Sequence, residues 1–284
     1  MAANGLEGRV RVERDVAAGS VPPRSVDLIL CNPPYVNTDS MNALPAEYRA
    51  EPELALAGGT DYETSNINAA LAAGYAVLVT DYAGYTTGQV PTYLAGASQG
   101  HAALDIVTAA LQIPSSGLST NAKVALWGYS QGGQTAAFAG ELKDTYAPGV
   151  KLVGVAAGGI PGDFIASAYN LDGRNGSSFL LAATIGLATE YPDRIPFDEL
   201  ANEAGQAAAA DAKNICVFEA LFKYQNRAIS EFTGLPLRLM LTLPSINSTL
   251  VNQGSGKTKI SVPVYQYHGQ AWGSFSCGKA LLNP

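Results

Sequence analysis

The sequence predicts an α/β fold, in which a mostly parallel sheet is flanked by helices and interrupted by a helical insertion. Short apolar runs that suit buried strands recur along the chain. They alternate with stretches whose apolar residues are spaced three or four apart, as on a helix face. This alternation is typical of right-handed βαβ units, and it breaks between about residues 163 and 250.

A first strand is predicted at residues 26–31, ahead of a looser acidic stretch. From about Asn66 the alternating pattern begins, and it predicts strands at 75–80, 124–127, 152–156 and 260–268. Helices are predicted between them at 101–111 and 134–142. The insertion at about 163–250 is predicted to contain helices at 197–213 and 216–232. We expect this insertion to form a cap over the sheet.

Composition and charge exclude several classes of protein. The 284 residues are 47% hydrophobic and 14% charged, which is enough apolar material for a full core. The net charge of −7 and the lack of a Lys/Arg run argue against a nucleic-acid partner. No apolar run reaches the roughly 18 residues of a membrane span, and the N-terminus lacks the apolar stretch of a secretory signal.

The three cysteines, Cys31, Cys216 and Cys277, are too widely spaced for the usual zinc patterns. A single disulfide between Cys216 and Cys277 and a set of three free thiols are both compatible with this spacing. We therefore expect neither a metal nor a cofactor.

The segment Gly128-Tyr129-Ser130-Gln131-Gly132 matches the Gly-x-Ser-x-Gly pattern. It ends the strand 123–127 and opens a helix, so the turn is tight, strains the serine and projects its hydroxyl above the sheet. The Gln131 amide then lies at a helix N-terminus, where a negative oxygen is favoured. The motif predicts Ser130 as a nucleophile and Gln131 as an oxyanion donor.

A second match, Gly96-Ala97-Ser98-Gln99-Gly100, lies just before His101. The stretch ahead of it contains Pro91 and is predicted to be a loop rather than a strand. We therefore expect Ser98 to cap a helix that starts near Gln99.

A serine nucleophile needs a general base that a carboxylate orients. His101 lies on the helix before the nucleophile strand and is expected to be an exposed or capping residue. His268 ends the last predicted strand; it is the candidate base, although a strand-end residue facing a polar pocket is an equal alternative. Asp163, shortly after the strand 152–156, is the candidate acid, whereas Asp81 is expected to be structural.

Residues 66–271 resemble the secretory lipase family, the lipase A type of α/β hydrolase with a helical cap. The resemblance is carried, in order, by residues 71–84, 100–110, 127–133, 146–155 and 262–269. It implies hydrolysis of carboxylic esters, often acylglycerols, through an acyl-enzyme on Ser130 with Gln131 as an oxyanion donor. It also implies a lipid or small-molecule ester as substrate, and export from the cell. We expect an apolar acyl slot under the cap, with candidate walls at Phe179, Leu180, Leu181, Leu221 and Phe222.

The chain departs from the family pattern in two places. The family's acid position is occupied by Trp272, and its catalytic histidine follows beyond Pro284. Its first strands and second oxyanion donor precede Asn66. The resemblance therefore implies an α/β hydrolase that is incomplete at both ends. The alternative function is a catalytically weak or inactive module that binds an acyl group or ester.

Residues 8–61 resemble the C-terminal part of the glutamine methyltransferases that modify release factors and ribosomal protein. The resemblance rests on Asn32-Pro33-Pro34-Tyr35 and on residues 44–59. The Gly-rich loop that would bind S-adenosylmethionine is missing, so no methyl transfer is expected. We therefore predict a methyltransferase-like fragment at 1–62 and a hydrolase core at 63–284, joined in a chimaeric reading frame.

Overall fold

The computed structural model describes residues 11–13, 26–30, 64–85, 87–215 and 217–268. The predictions for Cys31, Asn32, Cys216, Trp272 and Cys277 lie outside these residues. Within them, six strands form a single sheet. The strands are β1 (Arg11–Glu13), β2 (Val26–Leu30), β3 (Ala76–Val79), β4 (Lys123–Tyr129), β5 (Lys151–Gly158) and β6 (Val264–Tyr267).

The sheet order is β1-β3-β2-β4-β5-β6. β1 pairs antiparallel with β3, and every other neighbouring pair is parallel. Strand β4, which leads to Ser130, therefore lies in the interior of the sheet, between β2 and β5. The predicted parallel α/β architecture is confirmed.

Helices cover both faces of the sheet. They are α1 (Thr64–Ala72), α2 (Gly96–Gln112) and α3 (Gln131–Tyr146). Leu78 packs in the large core cluster with residues of α2 and α3, whereas Val77 packs in a separate cluster with Ile67 and Ala70 of α1. Successive strand residues point to opposite faces, so the two clusters lie on opposite sides of β3.

Strand β2 comes from the segment that the sequence assigns to a separate fragment. Its residues Asp27–Leu30 pair with Ala76–Val79 of β3, and Val26–Leu30 pair with Lys123–Trp127 of β4. β1 extends the same sheet beyond β3. The predicted boundary at residue 62 thus separates two parts of the chain that contribute strands to one sheet.

The insertion is helical, as predicted. Its helices are α4 (Phe164–Leu171), α5 (Ser177–Glu190), α6 (Phe197–Leu200), α7 (Glu203–Asp211), α8 (Val217–Tyr224), α9 (Ser230–Thr233), α10 (Leu237–Met240) and α11 (Pro244–Asn252). Their buried side chains form a second apolar cluster, separate from the core of the sheet.

Each predicted cap helix is divided in two. Asn202 separates α6 from α7 because its side chain accepts a hydrogen bond from the Gly205 amide as an N-cap. Asn226, between α8 and α9, has a φ of 59°, which a right-handed helix cannot accommodate. The sequence does not predict four further cap helices individually, namely 164–171, 177–190, 237–240 and 244–252.

Two buried glutamines join the cap to the core. Gln134 of α3 is fully buried, and its Nε2 donates to the carbonyls of Leu94 (3.2 Å) and Gln253 (3.0 Å). The Gln253 Oε1 accepts the Gly96 amide at 2.9 Å. The end of α11 is therefore tied to the start of α2 and to α3.

Deletion of residues 1–62 is expected to lower the melting temperature strongly or to abolish soluble expression. Without β2, strands β3 and β4 would each present an unpaired edge in the middle of the sheet. Circular dichroism melts of residues 63–284 and of the full chain measure the effect, with deletion of residues 1–10 as the control. Equal melting temperatures would show that the first 62 residues are dispensable for the fold.

Candidate active site

Ser130 occupies a strained turn between β4 and α3. Its φ of 55° and ψ of −114° lie in a region that costs a non-glycine residue about 1–3 kcal/mol. Two backbone hydrogen bonds hold it there: the Ser130 amide donates to Gly158 O at 2.9 Å, and the Gln134 amide donates to Ser130 O at 3.0 Å. The turn is the one that the Gly-x-Ser-x-Gly motif predicts.

Glycines make this turn possible because the backbones around it are in contact. A Cβ atom on Gly128 would lie 2.1 Å from Gly132 O, and one on Gly133 would lie 2.1 Å from Gly158 O. Both obstacles are main-chain atoms, which a change of rotamer cannot move. Any side chain at these positions would push α3 away from β4 and β5.

Gln131 is the first residue of α3 and is buried. Amides in the first turn of a helix have no intrahelical acceptor, and the helix dipole favours negative charge beside them. A buried polar network supports this turn: the Thr135 hydroxyl lies 3.0 Å from Gln131 O, 3.0 Å from Tyr82 Oη and 3.1 Å from Gln99 Oε1. The arrangement suits an amide that stabilises an oxyanion.

Ser130 lines a pocket under the cap. The other lining residues are mostly apolar: Tyr93, Leu94, Pro161, Phe164, Ser167, Ala168, Leu171, Phe179, Leu180, Ala183, Thr184, Leu187, Ile195, Leu237, Met240, Leu241, Ile246 and Leu250. A mostly apolar cavity with a few hydroxyls, one of them that of Ser130, suits an acyl chain.

The expected walls of this slot are confirmed in part. Phe179 and Leu180 line the pocket. Leu181 is instead packed in the core of the cap, and Phe222 is 54% exposed on the surface of α8. Residues from α4, α10 and α11 supply walls that the sequence did not identify.

His268 follows β6 at the sheet edge where Ser130 lies. Tyr267 pairs with Gly158, whose carbonyl accepts the Ser130 amide. Because β5 alone separates β6 from β4, the two strands are about 10 Å apart. The hydrogen bonds of the described residues do not join the Ser130 hydroxyl to His268.

Tyr267 connects β6 to the nucleophile strand. Its hydroxyl accepts the Trp127 Nε1–H at 2.8 Å and donates to Gly128 O at 3.2 Å. The rings of Tyr267 and Tyr129 lie 5.9 Å apart. These contacts fix the end of β6 beside the turn.

Asp163 is the N-cap of α4. Its Oδ1 accepts the Ala166 amide at 2.9 Å, and the residue is exposed. Its neighbours Pro161 and Phe164 line the pocket, so Asp163 lies at the base of a pocket wall. This capping role is not among the predictions for Asp163, although an Asp directly before a helical apolar stretch is its usual signal.

His101 lies far from the nucleophile. Its ring contacts the ring of Tyr146 with centroids 4.1 Å apart, and the Tyr146 hydroxyl donates to Asp105 at 3.0 Å. Tyr146 ends the 16-residue helix α3 that Gln131 begins, which places it about 24 Å along the axis. His101 belongs to this surface cluster.

The second Gly-x-Ser-x-Gly match is explained by helix packing. α2 begins at Gly96 with Ala95 as its N-cap, so the expectation that Ser98 caps a later start was wrong. A Cβ atom on Gly96 would lie 2.4 Å from the Phe138 ring, and one on Gly100 would lie 3.0 Å from the Ala139 amide. The glycines let α2 and α3 approach closely.

In the part of the chain that the structure describes, every helix is too short or too polar to cross a bilayer. The same residues bring together no group of three or more His, Cys, Asp or Glu side chains that could hold a metal ion.

The family model of the secretory lipases matches residues 52–272. Lipase 2 of Candida albicans is 37% identical over 213 residues, which are 70% of this chain and 44% of that lipase. A protein of Mycobacterium tuberculosis named a probable inactive lipase is 30% identical and is covered over 46% of its length. The chain thus spans less than half the length of these curated relatives.

The fold is similar to that of lipase A of Candida antarctica. The crystal structure of that enzyme superposes with a TM-score of 0.71 at 24% identity, covering 91% of this chain and 60% of the other. The residues that the family model matches, 52–272, start ahead of the predicted resemblance at residue 66 and end one residue after its end at 271. The predicted α/β-hydrolase fold and secretory lipase resemblance are confirmed.

Substitution Gly133→Ala is expected to lower the free energy of unfolding by about 2 kcal/mol or more, because the new methyl would overlap a main-chain oxygen. Helix propensity alone predicts the opposite, a gain of about 1 kcal/mol. Urea unfolding measures the change. In the control Gly149→Ala, the new methyl meets nothing within 4 Å, and the change should stay within about 0.5 kcal/mol. A gain in stability at position 133 would contradict the close contact.

Proposed function

The chain belongs to the secretory lipase family, and on that premise we propose that it hydrolyses carboxylic esters through an acyl-enzyme on Ser130. The observation that carries the proposal is the Ser130 turn: a strained serine at a helix N-terminus, opening onto an apolar pocket. Other polar groups in the pocket lack this combination of strain and flanking amides. The substrate class is a small-molecule or lipid ester.

In the proposed reaction, Ser130 Oγ attacks the carbonyl carbon of the ester while a general base takes the hydroxyl proton. The Gln131 amide donates to the oxyanion of the tetrahedral intermediate. Collapse of the intermediate breaks the bond to the alcohol, which leaves with the proton from the base. Water then attacks the acyl-enzyme by the same route and releases the carboxylic acid.

We assign the base to His268 and the orienting carboxylate to Asp163. His268 follows a strand that is two positions from the nucleophile strand at the same sheet edge, and Tyr267 fixes that strand beside the turn. Asp163 begins α4 where that helix meets the pocket. In support of this assignment, the other imidazole, that of His101 on α2, contacts Tyr146 at the end of α3 that is remote from Ser130.

The alternative is an acyl- or ester-binding module with weak or no turnover. Two observations favour it: a relative 30% identical to this chain is named a probable inactive lipase, and the Asp163 carboxylate already accepts a helix amide. Covalent labelling with a fluorophosphonate separates the functions, since a serine without a base reacts poorly.

Ser130→Ala and His268→Ala are each expected to reduce hydrolysis of p-nitrophenyl butyrate by about 10³-fold or more, because nucleophile and base act as a unit. Fluorophosphonate labelling should be lost in Ser130→Ala and greatly slowed in His268→Ala. His101→Ala is the control and should keep full activity. Unchanged hydrolysis in Ser130→Ala would refute the acyl-enzyme, and unchanged hydrolysis in His268→Ala alone would refute the choice of base.

Asp163→Asn separates the capping role of Asp163 from a catalytic one. Asparagine caps a helix about as well as aspartate, so the melting temperature should stay close to that of the native chain. An amide cannot stabilise an imidazolium, so we expect kcat to fall on the order of 10³–10⁴-fold. Asp163→Ala should additionally lower the melting temperature. If Asp163→Asn keeps native kcat, Asp163 is only a cap.

A further inference from the structure

One face of α4 lines the pocket and contains a single hydroxyl. Phe164, Ser167, Ala168 and Leu171 all line the cavity, and their spacing of three, four and seven residues places them on one side of the helix. Ser167 is the polar member of this face. It is 7% exposed, and its Oγ is buried without a hydrogen-bond partner among the described residues.

Two other hydroxyls on the cap helices are paired with the preceding turn. Thr184, which lines the same pocket, donates to Leu180 O at 2.8 Å. Thr249 donates to Ser245 O at 2.7 Å in the same manner. Ser167 has the same kind of helical position but does not make this bond. A buried hydroxyl without a partner destabilises a fold, so one that faces a binding cavity is available to a ligand.

We propose that Ser167 selects the acyl group of the substrate, and that this group is a chain bearing a hydroxyl. The inference rests on the proposed ester hydrolysis at Ser130, which shares the pocket. The Ser167 hydroxyl both donates and accepts, so a substrate hydroxyl pairs with it in either sense. The surrounding side chains of Phe164, Ala168 and Leu171 contact the hydrocarbon on either side of that group.

The selection works by leaving the wrong substrate unpaired. The Ser167 Oγ is buried, so a plain alkyl chain that fills the pocket leaves it unpaired, whereas a hydroxylated chain gives it a partner. A site built to bind a hydroxyl discriminates against the analogue that lacks it. Removal of the Ser167 hydroxyl should therefore weaken the hydroxylated chain and leave the plain chain unchanged.

The test compares kcat/KM for p-nitrophenyl decanoate with that for its monohydroxy derivatives, a set of isomers that differ in the position of the hydroxyl along the chain. The native chain should favour one isomer over decanoate by about 3- to 10-fold, the range that one net hydrogen bond provides. Ser167→Ala should lose this preference through slower hydrolysis of the favoured hydroxylated ester and hydrolyse decanoate at the native rate. A loss confined to one ester is a result that a general loss of folding cannot produce.

Two variants serve as matched controls. Thr184→Val removes a hydroxyl from the same pocket, but one that is already paired within its helix. Ser178→Ala removes a hydroxyl that is also buried and unpaired among the described residues, but that does not belong to the pocket lining. Both should keep the native preference.

Three results would overturn the inference while ester hydrolysis stands: no preferred isomer in the native chain, a preference that survives in Ser167→Ala, or equal slowing of all esters in that variant. If the native chain hydrolyses none of the esters, the proposed function fails instead. Calorimetric binding of decanoate and the hydroxydecanoates to the full chain then decides the matter. A hydroxyl preference that Ser167→Ala removes supports the inference, and equal or absent binding overturns it.

Discussion

The structure depends on main-chain contact between the turn after β4 and the end of β5. Gly133 touches the Gly158 carbonyl, and the same carbonyl accepts the Ser130 amide. This contact holds the strained Ser130 turn and packs the start of α3 against the end of β5. Because no side chain intervenes, the position of Ser130 is determined by backbone geometry and is insensitive to rotamers.

The sheet and the cap have separate tasks. The sheet and α3 place the Ser130 hydroxyl and the Gln131 amide at one point. The cap supplies mostly hydrocarbon walls, and Ser167 is the polar residue of the α4 face among them. In the proposed ester hydrolysis, substrate preference can therefore change through cap residues while Ser130 and Gln131 stay in place, as is usual for sites carried on a common scaffold.

The sequence predicts what is local and leaves open what depends on packing. Buried strands and the Ser130 turn follow from short apolar runs and from glycine positions. The pentapeptide 96–100 matches the same Gly-x-Ser-x-Gly pattern, but Gly96 and Gly100 serve the contact between α2 and α3, which appears only in three dimensions. Likewise, the local sequence does not indicate that Phe222 faces solvent while Met240 faces the pocket. An aspartate before a helix suits both an N-cap and a catalytic acid. The local sequence does not separate these roles, and Asp163 is predicted only as the acid.

The pair Gln134 and Gln253 also constrains how the cap can move. Both side chains are buried, so their hydrogen bonds lie in a medium of low dielectric constant. Breaking these bonds therefore costs more free energy than separating the apolar contacts of the pocket. The end of α11 is thus a fixed pivot. Any opening of the cap that leaves these hydrogen bonds intact must therefore move its earlier helices more than the end of α11.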